Sequence, residues 1–334
     1  MNKLLNYFLL PIIIVSSCST RDNNLTEGSI GVKLINQMEL SIPEMQAVFR
    51  NAPQRINNFW VYYDPYNEAI ISLKSNFTFH SKLIVKGEGP QEIVNIYSYS
   101  VTEEYVFVLG PRVIAVFDKD LHLIGKYPFS LDMAYSVIPF NNGFLTAGFN
   151  EDDPQFSLFS FVFSESADKI ELVKQQELNS KFIEERMYYS YKLVNINDKV
   201  LLIFDWYGEY FLFDTNYNIL KTEILPFSGD MEFFLDESVV KPPYYQAYDT
   251  KVYNDSLIFI VRELDFEQIG DNLENEALIL KNYRNTISVF TAEMEFKNNI
   301  KLPNEAVNLS IFQDTLITNS FNSEQIEIYE ITSN

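Results

Sequence analysis

Acid–base, nucleophilic and metal chemistry draw on few residue types, and this chain is poor in the most versatile of them. Its 334 residues include two histidines, His80 and His122, and one cysteine, Cys18. Both histidines fall in segments that read as outer strands, so a Ser-His-Asp triad or a multi-histidine metal centre is hard to assemble. Carboxylates are plentiful. Asp152-Asp153, Glu184-Glu185 and Asp265 with Glu267 carry the groups that glycoside hydrolysis sets at a defined separation, although in sequence they look like ordinary solvated acids. Asp118-x-Asp120 and Asp214-x-Asn216 offer oxygen ligands but lack the glycine and distal glutamate of a calcium loop. Hairpin turns in which Asp and Asn cap their own backbone account for them without further assumption. No metal site and no cofactor is therefore predicted; Ca²⁺ suits the charge but has no motif.

A second group of residues suits recognition. Trp206 and Tyr207, Tyr188 and Tyr189, and Tyr244 and Tyr245 lie close in sequence to charged segments that hold Arg186 and Arg262, and Arg112 stands beside a Gly-Pro turn. Aromatic faces suit sugars and peptides, and guanidinium groups suit carboxylates. The same aromatics could equally pack between structural units, so both readings stand.

The elements that must position these residues are visible as a repeat. Six polar pairs, Asn57-Asn58, Glu103-Glu104, Asn141-Asn142, Asn197-Asp198, Asn254-Asp255 and Gln313-Asp314, each precede a short apolar run. A spacing of roughly 40 to 60 residues marks a radial or stacked array whose units need their neighbours. Abundant Phe, Tyr, Ile and Val favour half-buried pleated surfaces, so the fold is predicted to be all-β. The second unit reads as four strands: Val94 to Val101, Tyr105 to Leu109, Val113 to Phe117 and Leu121 to Tyr127. The fourth unit repeats the pattern, which is that of a β-propeller blade. The sixth has three strands, and Val32 to Met38 forms a strand that belongs to no other unit. Pairing the two closes a six-bladed β-propeller of four-stranded antiparallel blades, its last blade completed by an N-terminal strand, and removes the edges that an open solenoid would expose.

The N-terminal residues read as an address. Lys3 followed by the apolar stretch Leu4 to Val15 and the small residues Ser16 and Ser17 has the layout of an export signal, and twelve apolar residues are too few to span a membrane. Val15-Ser16-Ser17-Cys18 resembles the lipobox of bacterial lipoproteins, which implies acylation of Cys18. The expected organisation is a signal over residues 1–17, a polar tether over 18–29, and the propeller over 30–334, anchored by lipid to a membrane of the bacterial cell envelope, the outer one by preference. The domain would then be periplasmic or surface-exposed. A formal charge of −21 repels phosphate backbones and argues against nucleic acid as a partner.

Lys86-Gly87-Glu88-Gly89-Pro90-Gln91-Glu92 is similar to the Gly-x-Gly-Pro-Gly-Glu signature of the TolB-like six-bladed β-propeller lipoproteins, relatives in architecture of NHL-repeat propellers, with Gln91 in place of a glycine. Val116-Phe117-Asp118, Ile287-Ser288-Val289-Phe290 and the lipobox extend the resemblance over nearly the whole chain. It implies a binding or scaffolding module rather than a particular reaction.

A propeller has two faces. Connections between the first and second and the third and fourth strands of each blade are short here. Those on the other face carry the insertions: Gly87 to Glu92, Asn150 to Gln155, Asn179 to Met187, Ser228 to Gln246, and Glu263 to Arg284, with helical character over Asn272 to Tyr283. Long loops tend to carry function. The leading expectation is non-enzymatic binding of a protein, peptide or glycan on that face; the alternative is a carboxylate- or Ca²⁺-dependent lyase or hydrolase at the mouth of the central channel.

Overall fold

A computed structural model describes residues 29–39, 53–64, 67–150, 153–164, 169–179, 190–205, 208–226, 249–262, 285–304, 306, 308–319 and 325–333. All of its elements are strands. After β1 (Ile30–Glu39), blade one comprises β2 (Gln54–Ile56), β3 (Phe59–Asp64), β4 (Ala69–Lys74) and β5 (Phe79–Val85), and blade two β6 (Ser98–Val101), β7 (Tyr105–Gly110), β8 (Val113–Asp118) and β9 (Leu123–Pro128). Blade three holds β10 (Leu131–Asp132), β11 (Val137–Phe140), β12 (Gly143–Asn150), β13 (Asp153–Phe163) and β14 (Ile170–Glu177). Blade four has β15 (Tyr191–Ile196), β16 (Lys199–Phe204), β17 (Glu209–Asp214) and β18 (Ile219–Ile224). Blade five has β19 (Asp249–Tyr253), β20 (Leu257–Arg262), β21 (Thr286–Thr291) and β22 (Phe296–Lys301); blade six has β23 (Asn308–Phe312), β24 (Thr315–Asn319) and β25 (Gln325–Ser333).

The N-terminal strand closes the ring. β1 pairs antiparallel with β25 from Ile30↔Ser333 to Glu39↔Gln325, so the last blade is completed from the opposite end of the described chain. The repeated polar pairs are the turns between first and second strands. Asn57, Asn141, Asn197, Asn254 and Gln313 all take a left-handed φ of 47 to 52°, a conformation that Asn in particular tolerates. Glu103-Glu104 differs: there Thr102 Oγ1 accepts from the amides of Glu104 and Tyr105 at 3.2 and 2.9 Å.

A second device recurs at the turns between third and fourth strands. Phe77, Leu121, Tyr217 and Met294 each sit three residues past the end of the third strand with φ between 62 and 68°. For a bulky residue that backbone costs about 1–2 kcal/mol, whereas burying its side chain returns about 1.5–3 kcal/mol. Burial wins for Phe77, Tyr217 and Met294, while Leu121 is half-buried, and the side chain becomes a plug between its own blade and the preceding one. Phe77 packs with Ile317 and Ile326 of blade six, Tyr217 with Leu145 and Leu158 of blade three, and Met294 with Leu201 and Ile203 of blade four. Leu121 packs on the cluster shared by blades one and two, and Ile30 of β1 joins the cluster between blades five and six. The Asp118 and Asp214 carboxylates hold these turns, each accepting two backbone N–H bonds at 2.8–2.9 Å. Their sequence reading as turns is what the structure shows.

Several boundaries differ from the sequence reading. The first strand of blade two starts at Ser98 rather than Val94, because Ile93 makes a parallel bridge to Lys86 and redirects the chain. Asn150 to Gln155, expected as an insertion, is mostly strand: β12 runs through Asn150 and β13 starts at Asp153. His122 lies in the turn before β9, its ring nitrogen 3.3 Å from Asp118; His80 is in the outer strand β5 as expected. The Gly87 to Glu92 loop folds over the Glu92 carboxylate, which accepts from Gly89 N at 2.8 Å, while Lys126 Nζ donates to Gly89 O at 3.1 Å. Gln91 keeps a negative φ, so this loop has no need of glycine there.

Candidate functional site at the channel mouth

The innermost strands β2, β6, β11, β15, β19 and β23 surround a central channel of about 370 Å³. Each of these strands begins at the face that carries the 2–3 and inter-blade connections, so the first residue or two of every blade meet at one mouth. Gln54, Ser98, Ser136, Lys192, Asp249 and Asn308 converge there by position alone. Towards the opposite end the wall turns less polar, with Val101, Ile138, Pro139, Val194 and Val252.

Two Lys–Asp pairs set the electrostatics of the mouth. Lys192 Nζ lies 3.0 Å from Asp205 Oδ2, which also accepts from Ser190 Oγ at 2.6 Å. Asp205 directly follows the second strand of blade four and is 2% exposed. Burial pushes its carboxyl above the ordinary value, Lys192 and Ser190 pull it back, and the charge of Asp249 adds to the rise. Asp249 ties two blades: its Oδ2 accepts from Leu309 N of blade six at 2.8 Å, and its Oδ1 accepts from Thr250 N at 2.8 Å with Lys251 Nζ at 3.4 Å. Burial first, and then the Asp249 charge, raise the phenol of Tyr99 well above its usual range. The acids here are neutralised by lysines rather than gathered into a cation cage. Among the described residues no cluster of three or more His, Cys, Asp or Glu side chains is placed to hold a metal ion.

An aromatic step stands at the same mouth. Tyr97 and Tyr135, 43% and 37% exposed, tilt against each other with ring centroids 5.5 Å apart. Tyr135 is presented by a break in the first strand of blade three: β10 and β11 both pair with β12, and the residues between them turn outward with Met133 at φ 58°. Gly148 allows β10 its close approach, since a Cβ there would lie 2.5 Å from Asp132 O. The buried Tyr191 hydroxyl fixes the bulge, accepting from Tyr135 N at 3.2 Å and Ala147 N at 3.0 Å and donating to Ala147 O. Thr146 Oγ1 donates to Ser136 O at 2.8 Å, and Leu193 N to Ser136 Oγ at 3.1 Å. A half-exposed aromatic pair on a pinned backbone, beside two lysines and the amides of Gln54 and Asn308, can stack on a planar or sugar group while polar groups orient it.

Of the residues singled out in sequence, Arg112 is described in full. It sits at the 2–3 turn of blade two on the loop-rich face, where Nε and Nη2 donate to Asp132 Oδ1 at 3.1 and 2.9 Å. It thus binds a carboxylate of the neighbouring blade and stands apart from the channel lining. Arg262 ends β20, and nothing further is described of its side chain. Cys18, Arg186, Tyr188, Tyr189, Trp206, Tyr207, Tyr244 and Tyr245 lie outside the described residues, as do the insertion 263–284 and its helical stretch. Sequence reasoning missed Tyr97, Tyr135, Lys192, Asp205 and Asp249. Their signal was positional: each stands at the loop-face end of a first or second strand, or just before a first strand, where a propeller converges on its axis.

No protein-family profile matches the chain, and no curated protein matches it in sequence. Solved structures do resemble it in fold. A protein of Bacteroides fragilis assigned as exported is 11% identical with a TM-score of 0.58, covering 91% of this chain and 95% of its own. A member of the DUF4221 family from Bacteroides vulgatus is 10% identical with a TM-score of 0.54, covering 92% of this chain and 100% of its own. Streptogramin B lyase is 10% identical with a TM-score of 0.50, covering 91% of this chain and 98% of its own. At these identities the likeness is one of fold, the six-bladed propeller.

Proposed function

We propose that this chain is a lipid-anchored propeller of the bacterial cell envelope that serves as a binding or scaffolding module for a protein, peptide or glycan, engaged at its loop-rich face. The observation that carries the reading is the Tyr97–Tyr135 step at the channel mouth, half-exposed yet fixed from below by Tyr191. Exposed aromatics held in place are what sugars and peptide side chains stack on. The neighbouring Lys–Asp pairs are already charge-compensated, which suits recognition better than proton transfer. The lipobox at Cys18, the TolB-like resemblance and the likeness to an exported Bacteroides protein support the location.

The test is calorimetric titration of the detergent-solubilised full chain with envelope glycan fragments and a peptide set, comparing wild type with Tyr97→Ala/Tyr135→Ala. A ligand of this site should lose roughly 10- to 100-fold in affinity in the double variant, as for truncated aromatic anchors, and nothing in Lys33→Ala on the outer strand β1. Unchanged binding by the double variant would refute the assignment. Anchoring has its own check: Cys18→Ala should move the protein from the membrane to the soluble fraction.

One observation favours a second reading, a carboxylate-dependent lyase or hydrolase. Asp205 is buried at the channel mouth with its carboxyl raised by burial, and its Oδ1 has no hydrogen-bond partner among the described residues; such groups cluster at catalytic sites. Turnover of any envelope glycan or ester by wild type and its loss in Asp205→Asn would establish that reading in place of the first.

A further inference from the structure

Blade one carries a charge where the other blades carry none. Arg55 stands two residues before the first turn pair, a position that holds Val101, Pro139, Asn195, Val252 and Ile311 in blades two to six. On β2 it lies opposite Trp60 of β3, and β2 packs against β23, the first strand of blade six. Its guanidinium carbon sits 5.0 Å from the Trp60 ring centroid and 5.7 Å from that of Phe312, which ends β23. Phe77 stacks on Trp60 with centroids 5.0 Å apart and the ring planes 16° off parallel. Two flat groups at that distance cannot share one face of the indole, so Trp60 is held between Phe77 and Arg55. The rings fix the guanidinium by cation–π contact in the gap between blades six and one, near the short-turn face.

In so acidic a chain, with 46 acids against 25 lysines and arginines, a guanidinium should readily find a carboxylate, as Arg112 finds Asp132. Arg55 does not. Among the described residues it has no ion-pair partner, and its Nε is buried without a hydrogen-bond partner, as is Nε1 of Trp60. Asp314, on the turn that follows Phe312, is engaged elsewhere: its Oδ1 accepts from Tyr253 OH of blade five at 2.6 Å. Burial lowers the proton affinity of Arg55, and no carboxylate counters it. Leaving a half-buried cation unpaired is costly, and an anion from outside would remove that cost.

The structure assigns a second binding site to this gap, in which Arg55 receives a single carboxylate and Phe312, 40% exposed, receives the aromatic or branched apolar group next to it. A guanidinium stacked on a ring keeps its in-plane N–H edge for other partners, and two parallel N–H bonds match the two oxygens of a carboxylate. The Phe312 ring supplies apolar contact beside them. The formal charge of −21 repels a dianion such as a phosphate monoester more than a single carboxylate. Peptide C-termini and free organic acids both present this chemistry. The site lies towards the face opposite Tyr97 and Tyr135 and does not depend on the function proposed for them.

The probe is N-acetylphenylalanine, titrated into the full chain, with its amide as the neutral counterpart and phenyl phosphate as the dianion. The reporter is the indole Nε1–H signal of Trp60, one of two tryptophans in the chain. The acid should shift that signal and bind roughly 10-fold more tightly than the amide, with phenyl phosphate weaker than the acid. Arg55→Gln should abolish the preference for the acid over the amide, and Arg55→Lys should reduce it, since an ammonium lacks the planar fork. Phe312→Ala should weaken acid and amide alike, whereas Tyr97→Ala/Tyr135→Ala should change neither, which separates this site from the channel mouth. A peptide ending in phenylalanine that binds more tightly than the acid assigns the site to peptide C-termini; equal or weaker binding assigns it to free acids. Circular dichroism and unfolding midpoints verify that each variant is folded. The proposal is overturned if the acid leaves the Trp60 signal of the folded wild type in place, if the amide or phenyl phosphate binds as tightly, or if Arg55→Gln keeps the preference for the acid.

Discussion

Two neighbouring gaps in this ring are built from the same parts and end differently. Between blades three and four, Tyr217 turns into a left-handed conformation at φ 65°, buries its ring beside Phe140, and places its hydroxyl 2.7 Å from Ser160 Oγ. Between blades two and three Phe163, the last residue of β13, packs its ring against Phe107 and Tyr127 of blade two, with centroids 6.3 and 5.3 Å away. Blades two and three also share an apolar cluster that includes Phe107, Phe144 and Phe161. Closure of this propeller is therefore not uniform around its circumference: one gap is filled by a side chain from a left-handed turn, the next by an aromatic side chain at the end of a strand.

The comparison can be broken most sharply at Tyr217. Tyr217→Ala should empty the gap between blades three and four and cost about 3–4 kcal/mol, the usual loss for a buried aromatic truncated to alanine, read as a lowered urea midpoint at unchanged m-value. A loss below about 1 kcal/mol would mean that the plugs are decoration. Met294→Ala, a smaller plug at the gap between blades four and five, should cost about 2–3 kcal/mol by the same measurement. Asp214→Ala leaves the plug in place but removes the acceptor of two backbone N–H bonds, and should lower the urea midpoint by less than either plug variant. Tyr217→Phe removes only the hydroxyl contact to Ser160 and should cost about 1 kcal/mol.

The channel mouth contributes the smallest and most specific effect. Burial holds the Asp205 carboxyl above its ordinary 3.8, so between that value and the raised one the folded chain retains a proton that the unfolded chain has released. Stability from this group is present at low pH and declines as pH rises through that window. Unfolding free energies measured across acidic pH should show this falling component in wild type and lose it in Asp205→Asn.

Much of this was legible in the residues. The four Asn-led turn pairs, with Glu103-Glu104 and Gln313-Asp314, located all six first hairpins, and the orphan strand near Val32 found its partner in β25, because alternation and turn chemistry are local properties written at period two. Asp118 and Asp214 likewise read as turns and are turns. The plugs were not legible, since nothing in a lone Tyr217 or Met294 announces a left-handed backbone that only inter-blade burial stabilises. Nor was the aromatic step. Tyr97 and Tyr135 are far apart in sequence and meet only because the ring brings every first strand to one axis, and because Tyr191, on a third element, pins the bulge that carries one of them.

Photo-crosslinking in the producing bacterium tests the proposed function most directly, with p-benzoylphenylalanine in place of Tyr97 at the channel mouth or of His80 on the outer strand of blade one. A discrete adduct with an envelope protein, peptide or glycan should form from position 97 and not from position 80. No adduct at 97, or the same adducts from both positions, would contradict binding at the loop-rich face.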